Sequence, residues 1–151
     1  MLEWSLQEIA ASPLPNLETL MVNDSTLIEK AHVLEILAPS LVKRSLRSLS
    51  LNHCQRVDFQ SLEWLAKHGE NLEELAIGDN PTVTDETLQV VTKFKKLSYL
   101  GLHRSRISPT GLMSVVNGSL AALRELNISW CKNIDTDAAQ VAATCGVKII
   151  N

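Results

Sequence analysis

The stretch Leu72-Glu73-Glu74-Leu75-Ala76-Ile77 decides how this chain folds, because its pattern returns at nearly regular intervals along the 151 residues. Upstream stand Leu17-Glu18-Thr19-Leu20-Met21-Val22 and Leu46-Arg47-Ser48-Leu49-Ser50-Leu51. Downstream stand Leu97-Ser98-Tyr99-Leu100-Gly101-Leu102 and Leu123-Arg124-Glu125-Leu126-Asn127-Ile128, and a truncated copy, Val147-Lys148-Ile149-Ile150, comes last. First positions are separated by 29, 26, 25, 26 and 24 residues. Positions four and six are apolar in all five complete copies. On a short strand both point to one face and bury there. Position one packs beneath them from the incoming turn. A single rung cannot bury this face alone, so neighbours must stack.

Between copies the period changes from two to three and four. Leu62, Leu65 and Ala66, then Leu88, Val91 and Phe94, then Leu112, Val115 and Val116, then Ala138, Val141 and Ala142 each mark one side of a helix. Thr84 before Asp85-Glu86 and Asp135 before Thr136-Asp137 read as N-caps, and Ser108-Pro109 as a cap followed by proline at the first helical position. The first interval is longer, with a helix expected from about Ser25 to Leu37 and a return loop over 40–45. A further helix is expected over Trp4–Ala11. Strand, turn, helix and return within about 20–29 residues is the unit of leucine-rich repeats. The expectation is therefore an α/β fold, a right-handed leucine-rich-repeat solenoid bent into a horseshoe arc. Parallel strands line its concave face, helices cover its convex face, and residues 1–151 form a single domain.

The turn after each strand carries subtype information. Asn52-His53-Cys54 precedes Val57-Asp58, Ser129-Trp130-Cys131 precedes Ile134-Asp135, and Gly78-Asp79-Asn80 precedes Val83-Thr84-Asp85. This resembles the cysteine-containing leucine-rich repeat of F-box proteins and AMN-type mitotic-exit regulators. Cys145 resembles the second cysteine that such units carry at the helix end. The fourth copy, Ser105 with Ile107-Ser108-Pro109-Thr110-Gly111-Leu112, is more similar to a ribonuclease-inhibitor-type unit. The resemblance implies repeats that bind a protein substrate, as an adaptor or receptor in a ubiquitin-ligase pathway, while a separate F-box recruits the ligase. Met1-Leu2-Glu3-Trp4 reads as lying inside the helix of an incomplete repeat, leaving no room for an F-box. A fragment of a larger protein or a compact homologue is expected.

Composition narrows the functional classes. A net charge of −3 disfavours nucleic acid or an anionic membrane as the main partner, and 4% aromatic content leaves few stacking platforms. No apolar run reaches membrane-spanning length, and the first residues lack the basic start of a secretory signal. With three cysteines, an odd number, a cytoplasmic or nuclear address is expected, and the acceptor triplets at Asn23, Asn117 and Asn127 then read as chance matches. No glycine-rich phosphate loop, nucleophile elbow or zinc-protease helix occurs, so neither an enzyme nor a cofactor is expected.

Cys54 and Cys131 fall at equivalent places three rungs apart, roughly 14 Å at the usual strand spacing and too far for a disulfide. Both read as buried structural thiols, with Asn80 as their polar equivalent and Cys145 as a further structural cysteine. Outward strand positions form columns. The first is Thr19, Ser48, Glu74, Tyr99 and Glu125; the middle one is Met21, Ser50, Ala76, Gly101 and Asn127. A third holds Asn23, Asn52, Gly78, His103 and Ser129, and the strand ends carry Asp24, His53, Asp79, Arg104 and Trp130. The small middle column would let a partner chain approach the sheet closely. Tyr99, Arg104 and Trp130 are hot-spot residue types, and His53, Asp79, His103 and Asn127 complete the expected partner-binding surface. Trp130 either faces solvent for a partner or packs on the next turn. His53, His103 and Asp79 lack metal-ligand spacing, so no metal is expected. Open solenoid ends, with Val147, Ile149 and Ile150 near an edge, leave self-association or a covering partner as an alternative, in which the chain is a structural or assembly subunit of a larger complex.

Overall fold

The computed structural model describes residues 16–24, 45–54, 57–117 and 120–151; the helices expected over Trp4–Ala11 and Ser25–Leu37 lie outside them. Each hexad supplies one three-residue strand: β1 Thr19–Met21, β2 Ser48–Ser50, β3 Glu74–Ala76, β4 Tyr99–Gly101, β5 Glu125–Asn127 and β6 Lys148–Ile150. They pair in parallel, in chain order, as a single six-stranded sheet. Register follows the repeat, so that Leu20, Leu49, Leu75, Leu100, Leu126 and Ile149 stand side by side across all five pairings.

Four helices occupy the returns among the described residues: α1 Phe59–His68, α2 Asp85–Val91, α3 Pro109–Val116 and α4 Thr136–Thr144. Each packs on the next. Hydrogen-bonded strands lie about 4.8 Å apart whereas packed helices need about 8–10 Å, so the sheet side is the shorter one and the stack bends with strands inside. This is a leucine-rich-repeat solenoid.

Between the two layers sits a core built from the hexad leucines. Leu46, Leu49, Leu51, Leu72, Leu75, Ile77, Leu97, Leu100 and Leu102 are all buried. In the first rung Leu17, Leu20 and Val22 are only partly covered. Helix phase is set by the caps. Asp58 Oδ1 accepts from Ser61 N (2.9 Å), Ser108 Oγ from Gly111 N (3.3 Å) and Asp135 Oδ1 from Ala138 N (2.7 Å). Thr87 Oγ1 accepts from Thr84 N (2.9 Å). Counted from each cap, the fourth and seventh residues are buried in all four: Leu62 and Leu65, Leu88 and Val91, Leu112 and Val115, Ala139 and Ala142. The apolar spacing of the last copy marks Ala138, Val141 and Ala142; Ala142 is buried and Ala138 packs partly against the core, but Val141 is 52% exposed. Val90 at the equivalent place of α2 is buried, α2 being packed between α1 and α3 whereas α4 packs on α3 alone among the described helices.

α2 and α3 meet where Asp85 accepts from Ser108 N (2.8 Å) and from Ser108 Oγ. A Cβ on Gly111 would lie 2.1 Å from Asp85 Oδ1. Two effects of a Gly111→Ala substitution therefore oppose. Helix propensity alone favours alanine by about 0.5–1 kcal/mol, whereas forcing atoms into a packed contact costs about 1–3 kcal/mol. Asp85 is held by Ser108, so it cannot yield without losing those bonds. Gly111→Ala is expected to lower stability by about 1 kcal/mol, read from the urea midpoint; a raised midpoint would show that Asp85 moves freely.

Candidate functional site

After each complete strand the chain must turn sharply from the sheet toward the helix layer. One residue per rung does this with left-handed backbone: Asp24 (φ 57°), His53 (54°), Asp79 (54°), Arg104 (56°) and Trp130 (63°). The turn also extends the strand ladder. Asp24 N donates to Asn52 O (3.0 Å), His53 N to Gly78 O (3.0 Å), Asp79 N to His103 O (2.7 Å) and Arg104 N to Ser129 O (2.9 Å). Asp and His tolerate this conformation better than most residues, since short polar side chains relieve its crowding. Arginine and tryptophan have no such tolerance. Their use in the last two turns sets those turns apart from the first three.

The residue after the left-handed one enters the core and bonds back to the preceding rung. Cys54 Sγ donates to Val22 O (2.9 Å) and Cys131 Sγ to Leu102 O (3.1 Å). Asn80 Nδ2 donates to Leu51 O (2.9 Å), Ile77 O (2.8 Å) and Gly78 O (3.2 Å). Ser105 holds the same place, but its hydroxyl is too short to reach across. Buried at 3% exposure, Ser105 Oγ finds no partner among the described residues. Burial pushes the Cys131 thiol above its ordinary value, an effect partly offset by the Ser105 and Arg104 backbone N–H groups. Cys145 stands apart from the other two, exposed at the end of α4.

The residues expected on the sheet face are held in several ways. His53 Nδ1 lies 2.7 Å from Asp24 Oδ1, and Arg104 donates to Asp79 Oδ2 (3.4 Å), so each ion pair links adjacent rungs. The His103 ring covers Gly78, whose Cβ would fall 2.2 Å from His103 Nδ1. Similarly, the Tyr99 hydroxyl reaches to 3.2 Å from where a Gly101 Cβ would stand. The Tyr99 ring therefore reaches over the middle column at Gly101, and the His103 ring fills its own column at Gly78. Asn127 Oδ1 accepts from Ser129 N (3.0 Å), which ties it into its own turn. His53, Asp79 and His103 are each engaged separately. Among the described residues no group of three or more His, Cys, Asp or Glu is placed to hold a metal ion.

Trp130 is 77% exposed, so of its two possible placements it takes the solvent-facing one. At its foot opens a cleft of about 830 Å³ lined by Asp79, Arg104, Ser105, Arg106, Trp130, Cys131, Lys132, Asn133 and Asn151. Arg106 and Lys132 are not part of the surface expected from the strand columns. Their signal was the repeat interval itself, since they stand as far apart as Arg104 and Trp130 and so occupy matching places on neighbouring rungs.

No family model and no curated protein matches the chain. Among solved structures it is similar to the leiomodin-1 actin-binding site 2, with 13% identity over 96% of this chain and 75% of that one, at a TM-score of 0.48.

The inter-rung bonds at Cys54, Asn80 and Cys131 predict the outcome of repairing Ser105. Ser105→Cys is expected to raise the melting temperature and Ser105→Ala to leave it nearly unchanged, because one supplies a missing bond and the other removes an unsatisfied hydroxyl. Asn80→Ala strips three carbonyls of a donor and is expected to cost about 2 kcal/mol. Calorimetry on the three variants checks the order.

The raised Cys131 value has a definite sign. A thiol whose folded value exceeds its unfolded one stabilises fully below the unfolded value, and that contribution is lost as pH rises through the folded one. Stability is expected to decline above about pH 9, the ordinary thiol value, and to decline less steeply in Cys131→Ala. At neutral pH maleimide is expected to modify Cys145 and spare Cys131 until the chain unfolds.

Proposed function

We propose that the chain is a protein-binding module that receives its partner on the strand face, through Tyr99, Arg104 and Trp130, flanked by His53, Asp79, His103 and Asn127. The observation that carries this is Trp130, a large apolar side chain 77% exposed on left-handed backbone. Exposure forgoes the gain from burying an indole, and the backbone adds about 1–2 kcal/mol of strain for a side chain of this kind. Both costs are removed or offset only when something covers the ring. Arg104 stands in the equivalent turn one rung away, and Tyr99 lies half-buried on the same rung as Arg104. Tyr, Trp and Arg grouped on one face are the types that dominate interface energetics.

A narrower form of this reading is a substrate receptor or adaptor in a ubiquitin pathway, working in the cytoplasm or nucleus. What supports it is the cysteine-bearing turn that resembles F-box repeats. A second reading, assembly into a larger complex through the convex side and the edge, is favoured by Val141, 52% exposed on α4, and by the half-buried Ile149 and Ile150 of β6.

Partner capture by the purified chain, compared across variants, separates the two. Tyr99→Ala, Arg104→Ala and Trp130→Ala are each expected to reduce capture at least tenfold while leaving the melting temperature within a few degrees. Val141→Asp is expected to leave capture unchanged. Silent sheet-face variants together with loss in Val141→Asp would replace the first reading with the second.

A further inference from the structure

The cleft at the foot of Trp130 has a charge unlike that of the chain around it. Arg104, Arg106 and Lys132 contribute three cationic side chains to its lining against one acidic side chain, Asp79, in a protein of net charge −3. Arg104 shares its charge with Asp79 only loosely, at 3.4 Å, and the two side chains are 60% and 37% exposed. Among the described residues neither Arg106 nor Lys132 forms an ion pair. The neighbouring turn on the other side has Pro81 next after Asn80, where Ser105 is followed by Arg106 and Cys131 by Lys132. The positive charge is therefore confined to two adjacent rungs. The first column of the sheet carries Glu74 and Glu125, the latter paired with Lys148 (2.9 Å).

We propose that this cleft takes an acidic segment of a partner polypeptide, its carboxylates on Arg104, Arg106 and Lys132 and an apolar side chain against the Trp130 indole. This deepens the sheet-face reading and rests on it. Guanidinium groups bind carboxylates through paired N–H donors, and Lys132 adds a point charge beside them. The exposed indole supplies an apolar surface that charge alone would not need.

A polypeptide fits better than a nucleic acid. Three cations offset only about three phosphates, and the described sheet beyond the cleft offers a phosphate backbone no further cluster of cations. A polypeptide can place neutral or basic residues there. One tryptophan is likewise a poor platform for successive bases, which need a row of rings.

The test uses a dye-labelled, glutamate-rich peptide with interspersed leucines, followed by fluorescence anisotropy. An oligothymidine of matched charge and inorganic phosphate serve as competitors, and backbone amide shifts locate the binding. The expected result is saturable binding that weakens at least tenfold in Arg106→Glu/Lys132→Glu and in Trp130→Ala. The affected amides are those of residues 104–106 and 130–133, and binding is lost at about 0.5 M salt, where screening is strong. Peptide binding unchanged in the double variant overturns the proposal. So does an oligothymidine that binds more tightly than the peptide, or phosphate alone that displaces the peptide at equal concentration. Arg106 and Lys132 have no part in the broader reading. If the double variant keeps its peptide affinity while Tyr99→Ala still abolishes partner capture, the acidic-segment proposal falls and the sheet-face reading stands. If Tyr99→Ala leaves capture intact, the broader reading falls by itself.

Discussion

Every rung of this solenoid has to carry its backbone from a three-residue strand into the helix layer without leaving buried N–H and C=O groups unpaired. The left-handed residue that follows the strand meets both demands. It turns the chain through the needed angle, and in four of the five turns its own N–H reaches the next rung, which extends the parallel ladder beyond the strand. The side chain after it then has no choice but to enter the core. There it meets carbonyls of the preceding rung, and an unsatisfied buried carbonyl costs about 1–3 kcal/mol. A thiol at Cys54 and Cys131 and an amide at Asn80 answer that cost with donors of suitable reach. Remove this turn and the helices lose their caps, because Val57-Asp58, Val83-Thr84 and Ile134-Asp135 follow it at fixed distance.

The caps in turn decide which residues the helices bury. With the chain entering each helix at Asp58, Thr84, Ser108 or Asp135, the fourth and seventh positions face the sheet whatever else the helix contains. α4 accordingly closes its part of the core with Ala139 and Ala142, while Val141 is left exposed on the last helix. Cap position is also why Gly111 sits against Asp85: neighbouring caps bring the third position of one helix beside the first of another.

Much of this was legible from the residues. Apolar positions four and six at intervals near 26 leave one solution for strand order and register, because a one-residue slip would turn Leu49, Leu75 and Leu100 to solvent. The inward placement of Cys54, Asn80 and Cys131 followed from the same register. Three things did not follow. The exposure of Val141 was hidden because hydrophobic spacing marks it as it marks the other helix residues, whereas no further described helix packs beyond α4 to cover it. The occupied floor was hidden because small residues at Gly78 and Gly101 look open until the His103 and Tyr99 rings are placed over them. The cleft was missed because Arg106 and Lys132 lie beyond the strand ends, where column reading stops, although their matching places in the repeat were available.

Departures from what the fold alone would select gather on two turns, although Asn80 Oδ1 at the β3 turn is also buried without a partner among the described residues. Three turns use Asp or His at the left-handed position, and the remaining two use Arg104 and Trp130. Three of the four described inward positions carry a side chain that bonds to the preceding rung, and the remaining one is Ser105, which does not. The exposed tryptophan, the less tolerant left-handed residues and the unsatisfied hydroxyl all fall on the β4 and β5 turns, around one cleft. Folding needs are the same at every rung of a repeat array, so they give no reason for the exceptions to gather at two of them. A binding requirement local to those two rungs does, because natural proteins retain suboptimal residues where a site uses them and relieve the strain when a ligand arrives. The equivalent rungs supply the comparison within the same molecule, which makes this concentration stronger ground for a site than any of the three features taken alone.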